Sequence, residues 1–403
     1  MSKSNLKILF VTAHCPFAAS YGAQLRVLNT ARLLQKLGTV DLVIAPHEEL
    51  NEKDVLRTKQ EFPSTHVVKM ENNSPKGFRE RMGFELNPAF MKTHFSAVAA
   101  PDRKFMEDSF QRYDLVWVHT VRTANEFQIY KWPHTVLDVD DIQSKMYAVR
   151  AGASAGVVRS LLDYRMSLIW RRRERHLADR FHVIVVCSEK DRKYLGNASQ
   201  IHVIPNGFDR PSYEPAHFPA KPARLGFIGL FDYYPNRDGM EWFIKNVWPL
   251  IKDKAPDVRL RLVGKGSDSC FPDMGPDIDG LGYVEDSSKE IASWTAMIVP
   301  IRVGGGTRIK IAEAFSKKCP VVSTSVGAFG YDVLHGTDLL LADGPHEFAS
   351  SCLSLIEDDK LGSMLSENAW KLFLGKWTWD SMGPAVAKTV EDCLRANKSI
   401  SNN

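Results

Sequence analysis

"AMIVPIRVGGGTRIKIAEAFSKKCPVVSTS", residues 296–325, sets an apolar run, three glycines, a segment of helical spacing and a second apolar run in succession. Strand, glycine turn, helix and strand in that order make a parallel βαβ unit. The residues inside it carry more than a fold signal. Gly304, Gly305 and Gly306 lead to Thr307, placed to cap the helix, and then come Arg308 and Lys310. The N–H groups of a helix start are unpaired and carry the positive end of the dipole, so a phosphate set there gains hydrogen bonds from backbone alone. Arg308 adds a bidentate contact and Lys310 a point charge, a set suited to a diphosphate. Glu313 follows Lys310 by three residues and Thr307 by six, which puts all three on one side of the helix. Its carboxylate can accept from vicinal hydroxyls, as an acidic residue does for the ribose in dinucleotide folds. Spacing alone also allows a plain glycine loop, a solvated Arg/Lys pair and a locally bonded Glu.

The same alternation runs outward from this stretch in both directions. Before it, strands are predicted at 7–12, 40–45, 65–70, 115–119, 135–139, 183–188 and 201–205, with helices between them. One such helix, "AQLRVLNTARLLQKLG", lines up Leu25, Leu28, Ala31 and Leu34 and is expected to stop at Gly38. "DRPSYEPAHFPAKPA", residues 209–223, has four prolines and no period, and is the expected linker. After it come "ARLGFIGL", a helix around "DGMEWFIKNVWPLI", "VRLRLVG", the opening stretch, "DLLLA", a helix over 346–356 and a last helical pattern, "GPAVAKTVEDCLRAN". This implies an α/β chain of two doubly wound domains. Such sheets take ligands at their strands' carboxyl ends, so both domains are expected to face a cleft.

The bulk composition excludes several alternatives. A chain of 403 residues, 44% hydrophobic and 25% charged, fits two globular domains rather than a disordered or fibrous chain. The balance of 52 Lys+Arg against 48 Asp+Glu leaves +4 with the basic residues dispersed, so nucleic acid is not expected as a partner. Six scattered cysteines, without a Cys-x-x-Cys, read as buried thiols of a reducing compartment. No apolar run of about 18 residues occurs, and "ILFV" is too short for a signal-peptide core, so the expected location is cytoplasmic.

Taken in order, the motifs resemble the family-4 retaining glycosyltransferases, which have the GT-B fold of two facing Rossmann-like domains. "GGGTRIKIAEAFSKKCPVVSTSVGAFGYDVLHGTDLLLAD" is similar to that family's nucleotide-sugar site, in its glycine-rich subgroup. Further matches are "VIPNGFD" (203–209), "IGLFDYYPNRDGMEWF", "LRLVGKG", "TWD" (378–380) and "ILFVTAHCPFAASYGAQLRVLN". The resemblance implies an N-terminal acceptor domain over 1–208, the linker 209–223, a donor domain over 224–380 and a final helix, 381–403, returning to the first domain. It implies a hexosyltransferase that uses a nucleotide-diphosphate sugar and a carbohydrate or lipid-linked hydroxyl acceptor, in polysaccharide or glycolipid biosynthesis, without cofactor or metal. Of the family's Glu-x7-Glu pair, Glu313 matches the second member, the ribose holder, while Gly305 replaces the first. The family's phosphate-binding Arg and Lys fall near Asn236–Gly239, where only Arg237 is cationic, so Arg308 and Lys310 are assigned that catalytic role. The replaced Glu also motivates a second reading, a non-catalytic subunit that binds nucleotide or a partner protein.

Other candidates complete the expected site. Gly22 sits in the loop after the first strand, where the family approaches donor phosphate, and Arg26 lies one helical turn later, either in the cleft or solvated. "DVDD" (138–141) suggests a metal, but the resemblance needs none, and Asp140 or Asp141 is expected to contact sugar, with Asp141 assigned as catalytic. His119 ends a predicted strand and lines the cleft or caps the strand. "GYV" offers backbone groups near Val284 to the nucleobase on the resemblance alone. "WRRRERHLADR" (170–180) reads as a solvated face, with a peripheral membrane contact through 165–175 as the alternative. No enzymic nucleophile is evident, which suits a front-face mechanism in which the leaving diphosphate helps deprotonate the acceptor.

Overall fold

The computed structural model describes residues 6–18, 22–72, 74, 77–86, 96–153, 156–271, 275–304 and 306–401. The chain divides into two compact units, Met1–Pro205 with Met382–Asn403, and Asn206–Ser381. The segment 209–223, read as a linker, belongs to the second unit. Phe218 and Ala220 donate backbone hydrogen bonds to Ala292 and Ser293 there, and the His217 ring contacts the Trp294 carbonyl at 2.7 Å.

In the first unit, β1 (Leu6–Thr12), β2 (Gly38–Ile44), β3 (Thr65–Val67), β6 (Leu115–His119), β7 (Thr135–Asp138), β8 (Val183–Val186) and β9 (Ile201–Val203) form one sheet. Its order is β3-β2-β1-β6-β7-β8-β9, every pairing parallel. A separate antiparallel ribbon joins β4 (Met70–Asn72) to β5 (Ser96–Val98), so the predicted strand 65–70 is split between two sheets. β6 is buried at every residue, as a central parallel strand covered on both faces must be. Each Val or Leu so buried contributes roughly 1.5–3 kcal/mol by removing its side chain from water. The first helix runs Gly22–Gln35 and ends before Gly38. Gly38 opens β2 instead, and a Cβ there would lie 2.2 Å from the Leu6 carbonyl oxygen, so the glycine serves strand approach rather than helix termination.

The second unit has a six-stranded sheet of order β12-β11-β10-β13-β14-β15, again parallel throughout. Its strands are β10 (Arg224–Ile228), β11 (Arg259–Val263), β12 (Ile278–Gly280), β13 (Ala296–Val299), β14 (Val321–Ser323) and β15 (Leu340–Leu341). β12, which is short and half-buried, has no matching expectation, and neither does β5. Both units are thus Rossmann-like α/β sheets. The last helix, Trp379–Ser401, groups from Met382 onward with the first unit.

Candidate active site

In the second unit the winding reverses between β10 and β13, from which the chain proceeds outward to β12 and to β15 respectively. Loops leaving the carboxyl ends of two such strands diverge and open a crevice, the ligand position of open α/β sheets. One loop leads from β10 to helix Tyr234–Trp242, and the other carries the glycines from β13 to helix Ile309–Ser316.

Lys310 lies in the first turn of its helix and joins the two. Its Nζ donates to Asn236 Oδ1 at 3.0 Å, and Asn236 Nδ2 donates to the Leu230 carbonyl at 2.8 Å. The ammonium also stands 3.6 Å from the centroid of the Phe227 ring, in cation–π range. Burial, then the neighbouring Arg308 charge, pull the Lys310 pKa well below its ordinary value, and Glu313 offsets them only in part. A Cβ at position 229 would lie 2.7 Å from Asn236 Nδ2 and 3.0 Å from Lys310 Nζ, so the glycine makes room for this pair. Neither Asn236 nor Gly229 stands out by charge or spacing in the sequence.

Arg308 is the N-cap residue of helix Ile309–Ser316, one position later than the Thr307 expected there. The Thr307 hydroxyl instead accepts from the Asn206 N–H at 3.1 Å. Thr307 therefore precedes the helix and does not share a face with Lys310 and Glu313. Tyr331 OH donates to the Arg308 carbonyl at 2.9 Å, and Arg308 Nη2 reaches the Val303 carbonyl at 3.5 Å. Gly304 and Gly306 have φ of +118° and +70°, values that favour glycine. Gly305 lies outside the described residues.

Glu313 is held by a second loop. Ser287 Oγ donates to its Oε1 at 2.8 Å, three residues beyond Val284. Burial raises the Glu313 pKa, against the pull of the Ser287 hydrogen bond and of Lys317 and Lys310. The carboxyl and the "GYV" loop are thereby neighbours. Gly282 spends its own N–H on Ser267 Oγ and its carbonyl on Gly264, so the loop's remaining backbone groups belong to Tyr283 and half-buried Val284. Arg237 stands apart from Lys310: it is exposed, and its Nε lies 3.8 Å from Glu241, the next turn's residue on the same outer face.

The first unit collects a second group at its own winding reversal, between β1 and β6. His119 ends β6, His14 follows β1, and their ring centroids are 5.6 Å apart; His47, beyond β2, lies 6.3 Å from His14. Burial, reinforced by the His119 and His47 rings, pulls the His14 pKa down to about 3, so that ring is neutral at ordinary pH. His119 is fully buried, and neither ring nitrogen has a hydrogen-bond partner among the described residues. Its Nε2 is 3.6 Å from Asp140 Oδ2. Burial pushes the Asp140 carboxyl up, but His119, Arg26 and Cys187 outweigh it and hold it well below the usual carboxylate range. Asp140 rather than Asp141, which is half-buried beside it, is the member of "DVDD" placed among the histidines. His47 Nε2 pairs at 2.9 Å with Glu126, a fully buried carboxylate that also accepts from Ser96 and Arg122.

Two further expectations change. Arg26 is neither solvated nor directed at a ligand. It is 1% exposed and bonds both Asp138 oxygens at 2.7–3.1 Å and the carbonyls of Ile204 and Pro205. This occupies Asp138, the first carboxylate of the metal reading, and among the described residues no group of three His, Cys, Asp or Glu is placed to hold a metal ion. Gly22 begins the first helix and is exposed, while Ser20 and Tyr21 beside it lie outside the described residues.

Residues 222–358 match the family model described as Glycosyl transferases group 1. The matched residues all fall within the second unit. The chain is 20% identical over 367 residues, 86% of this chain and 90% of the relative, to an uncharacterized 44.6 kDa protein in the cps region of Klebsiella pneumoniae. Sucrose-phosphate synthase from Thermosynechococcus elongatus has a similar structure, with a TM-score of 0.68 at 16% identity over 97% of this chain and all of that one. HepE from Anabaena, solved in complex with UDP, follows at a TM-score of 0.65 and 16% identity over 96% of this chain and 100% of its own. The fold of the chain is therefore GT-B, two Rossmann-like parallel-sheet domains.

Proposed function

We propose that the chain is a retaining glycosyltransferase that moves a hexose-type sugar from a nucleotide-diphosphate sugar to a hydroxyl acceptor in polysaccharide or glycolipid assembly on the cytoplasmic side of a membrane. The supporting observation is Lys310. A cation drawn out of water normally pairs with a carboxylate, yet this one donates to a neutral amide and lies beside another cation, Arg308. A diphosphate supplies the missing anion. The α- and β-phosphates would lie on Arg308, Lys310 and the helix start, and the ribose on the Glu313 oxygen that Ser287 leaves. The base would meet the loop at Tyr283 and Val284. Charge developing on the departing diphosphate is then stabilised by groups already in place, each such donor being worth about 3 kcal/mol. His119, His14 and Asp140 are the first unit's candidates for holding sugar hydroxyls, with Gly22 at the start of its first helix. Buried ring nitrogens without partners favour this reading over a nucleotide-binding subunit that does no chemistry. The departing phosphate serves as base, and the scheme uses no metal or cofactor.

The test is a thermal-shift screen against nucleoside diphosphates and their sugar conjugates, followed by donor-hydrolysis assays with the conjugate that binds. A midpoint shift by one nucleotide series together with turnover of its sugar conjugate is expected. Binding without turnover across acceptor mixtures would leave the subunit reading, and no shift at all would remove the donor site.

A further inference from the structure

Helix Val157–Glu174 in the first unit is turned inside out. Its buried residues are Asp163, Ser167, Trp170, Arg173 and Glu174, four of the five polar. Val157, Val158, Leu161, Leu162, Tyr164 and Leu168 are meanwhile 50–77% exposed. A surface helix ordinarily turns its aliphatic stripe to the core. Here the stripe at i, i+4, i+7 and i+11 (Val157, Leu161, Tyr164 and Leu168) faces outward over more than two turns. The run read from sequence as solvated is half interior. Trp170 and Arg180 are also buried, Arg173 stacks 5.0 Å from the Trp170 ring, and Arg180 Nε bonds the Tyr130 carbonyl at 3.1 Å.

Charge on the outward face has one sign. Both acids of the helix, Asp163 and Glu174, are buried, while Arg159, Arg171 and Arg172 are exposed. A second exposed aromatic lies next to it. Arg165 Nη2 is 4.0 Å from Met82 Sδ, and Phe78, 77% exposed, precedes Met82 by one turn of helix Phe78–Leu86 and is followed by exposed Arg79, Glu80 and Arg81. No helix among the described residues is long and apolar enough to cross a membrane.

We propose that the outward face of helix Val157–Glu174, with Phe78, docks on an anionic lipid surface, its aliphatic side chains entering the acyl boundary and its arginines meeting lipid phosphates. Large aliphatic residues in one band, edged by arginine and with both acids of the helix itself buried, match the two halves of such an interface, and Glu80 beside Phe78 is an exposed carboxylate at its margin. The docking surface starts at Val157, earlier than the 165–175 segment suggested by the basic run, because burial of Trp170 and Arg173 removes that segment's inner side. The surface is built from first-unit residues only and the proposed nucleotide site from second-unit residues, so its test is independent of that site.

The full chain is sedimented with vesicles of phosphatidylcholine alone and of phosphatidylcholine mixed with phosphatidylglycerol. Binding to the mixed vesicles is expected. A Leu161→Ser, Leu162→Ser pair should weaken it by about tenfold, and an Arg171→Gln, Arg172→Gln pair by a comparable factor that vanishes at high salt. All four residues are exposed, so the variants should keep the parent's unfolding midpoint and nucleotide response. Absence of binding to mixed vesicles, or equal binding by the leucine variant, overturns the proposal. So does a parent that sediments as a dimer which the leucine variant reduces to monomer, since the face would then be an interface between copies of the chain.

Discussion

Replacing Lys310 should reveal the donor site through its protons as much as through its affinity. In the ligand-free chain, burial and Arg308 depress the lysine pKa. A diphosphate at about 4 Å would interact with the ammonium by about 4 kcal/mol at an effective dielectric constant near 20. Holding the ammonium out of water offsets part of that, leaving on the order of 2 kcal/mol, in line with a hydrogen bond to a charged group. Lys310→Ala should therefore weaken UDP, or whichever nucleoside diphosphate binds, by about thirtyfold. The pH dependence has a definite sign. Bound phosphate raises the lysine pKa, so between its free and bound values the complex holds a proton that the free protein lacks. Affinity then falls as pH rises through that window, by up to about tenfold per unit, and binding takes up as much as about one proton. Calorimetric titration in buffers of different ionisation heat measures both quantities. Lys310→Arg should retain binding and lose the proton uptake, because guanidinium stays charged throughout. An alanine variant that binds within about threefold of the parent, with its proton uptake unchanged, would refute this account of the site.

Gly229→Ala places a methyl against Asn236 Nδ2 and Lys310 Nζ. Nucleotide affinity should fall by about tenfold in a calorimetric titration, with the unfolding midpoint nearly unchanged because the side-chain ends can move. Arg26→Ala leaves Asp138 buried without its main counter-charge and should cost about 4 kcal/mol in denaturant unfolding of the first unit. A cost below about 1 kcal/mol would show the pair to be expendable. Glu174 is buried and accepts from both the N–H and the hydroxyl of Ser144. Burial raises its pKa to about 7 from an ordinary 4.5, over the opposing pull of those bonds. The folded chain keeps a proton in that interval which the unfolded chain releases. Stability contributed by this group is thus present below about 4.5, declines with rising pH and is lost above about 7, by about 3 kcal/mol at most. Glu174→Gln should flatten that decline in chemical denaturation measured across the interval.

Much of the molecule was legible in one dimension because parallel strands covered on both faces must be continuous apolar runs. "LVWVH" is such a run, and its predicted bounds and β6 coincide. "THVVKM" was read as one strand because a period cannot show where hydrogen-bond partners change, and the chain gives its two halves to different sheets. The glycine loop, Lys310 and Glu313 were visible because an anion site needs backbone freedom, cations and a hydroxyl acceptor close together in the chain. Their partners were not visible. Asn236 reaches Lys310 from 74 positions away, and Ser287 reaches Glu313 from 26. The neighbours of His119 likewise come from the ends of β1 and β7. Local spacing therefore determined which elements form and which residues carry charge. Only the winding of the two sheets decided which of those residues meet, because contacts between the carboxyl ends of separate strands depend on strand order, to which sequence period is blind.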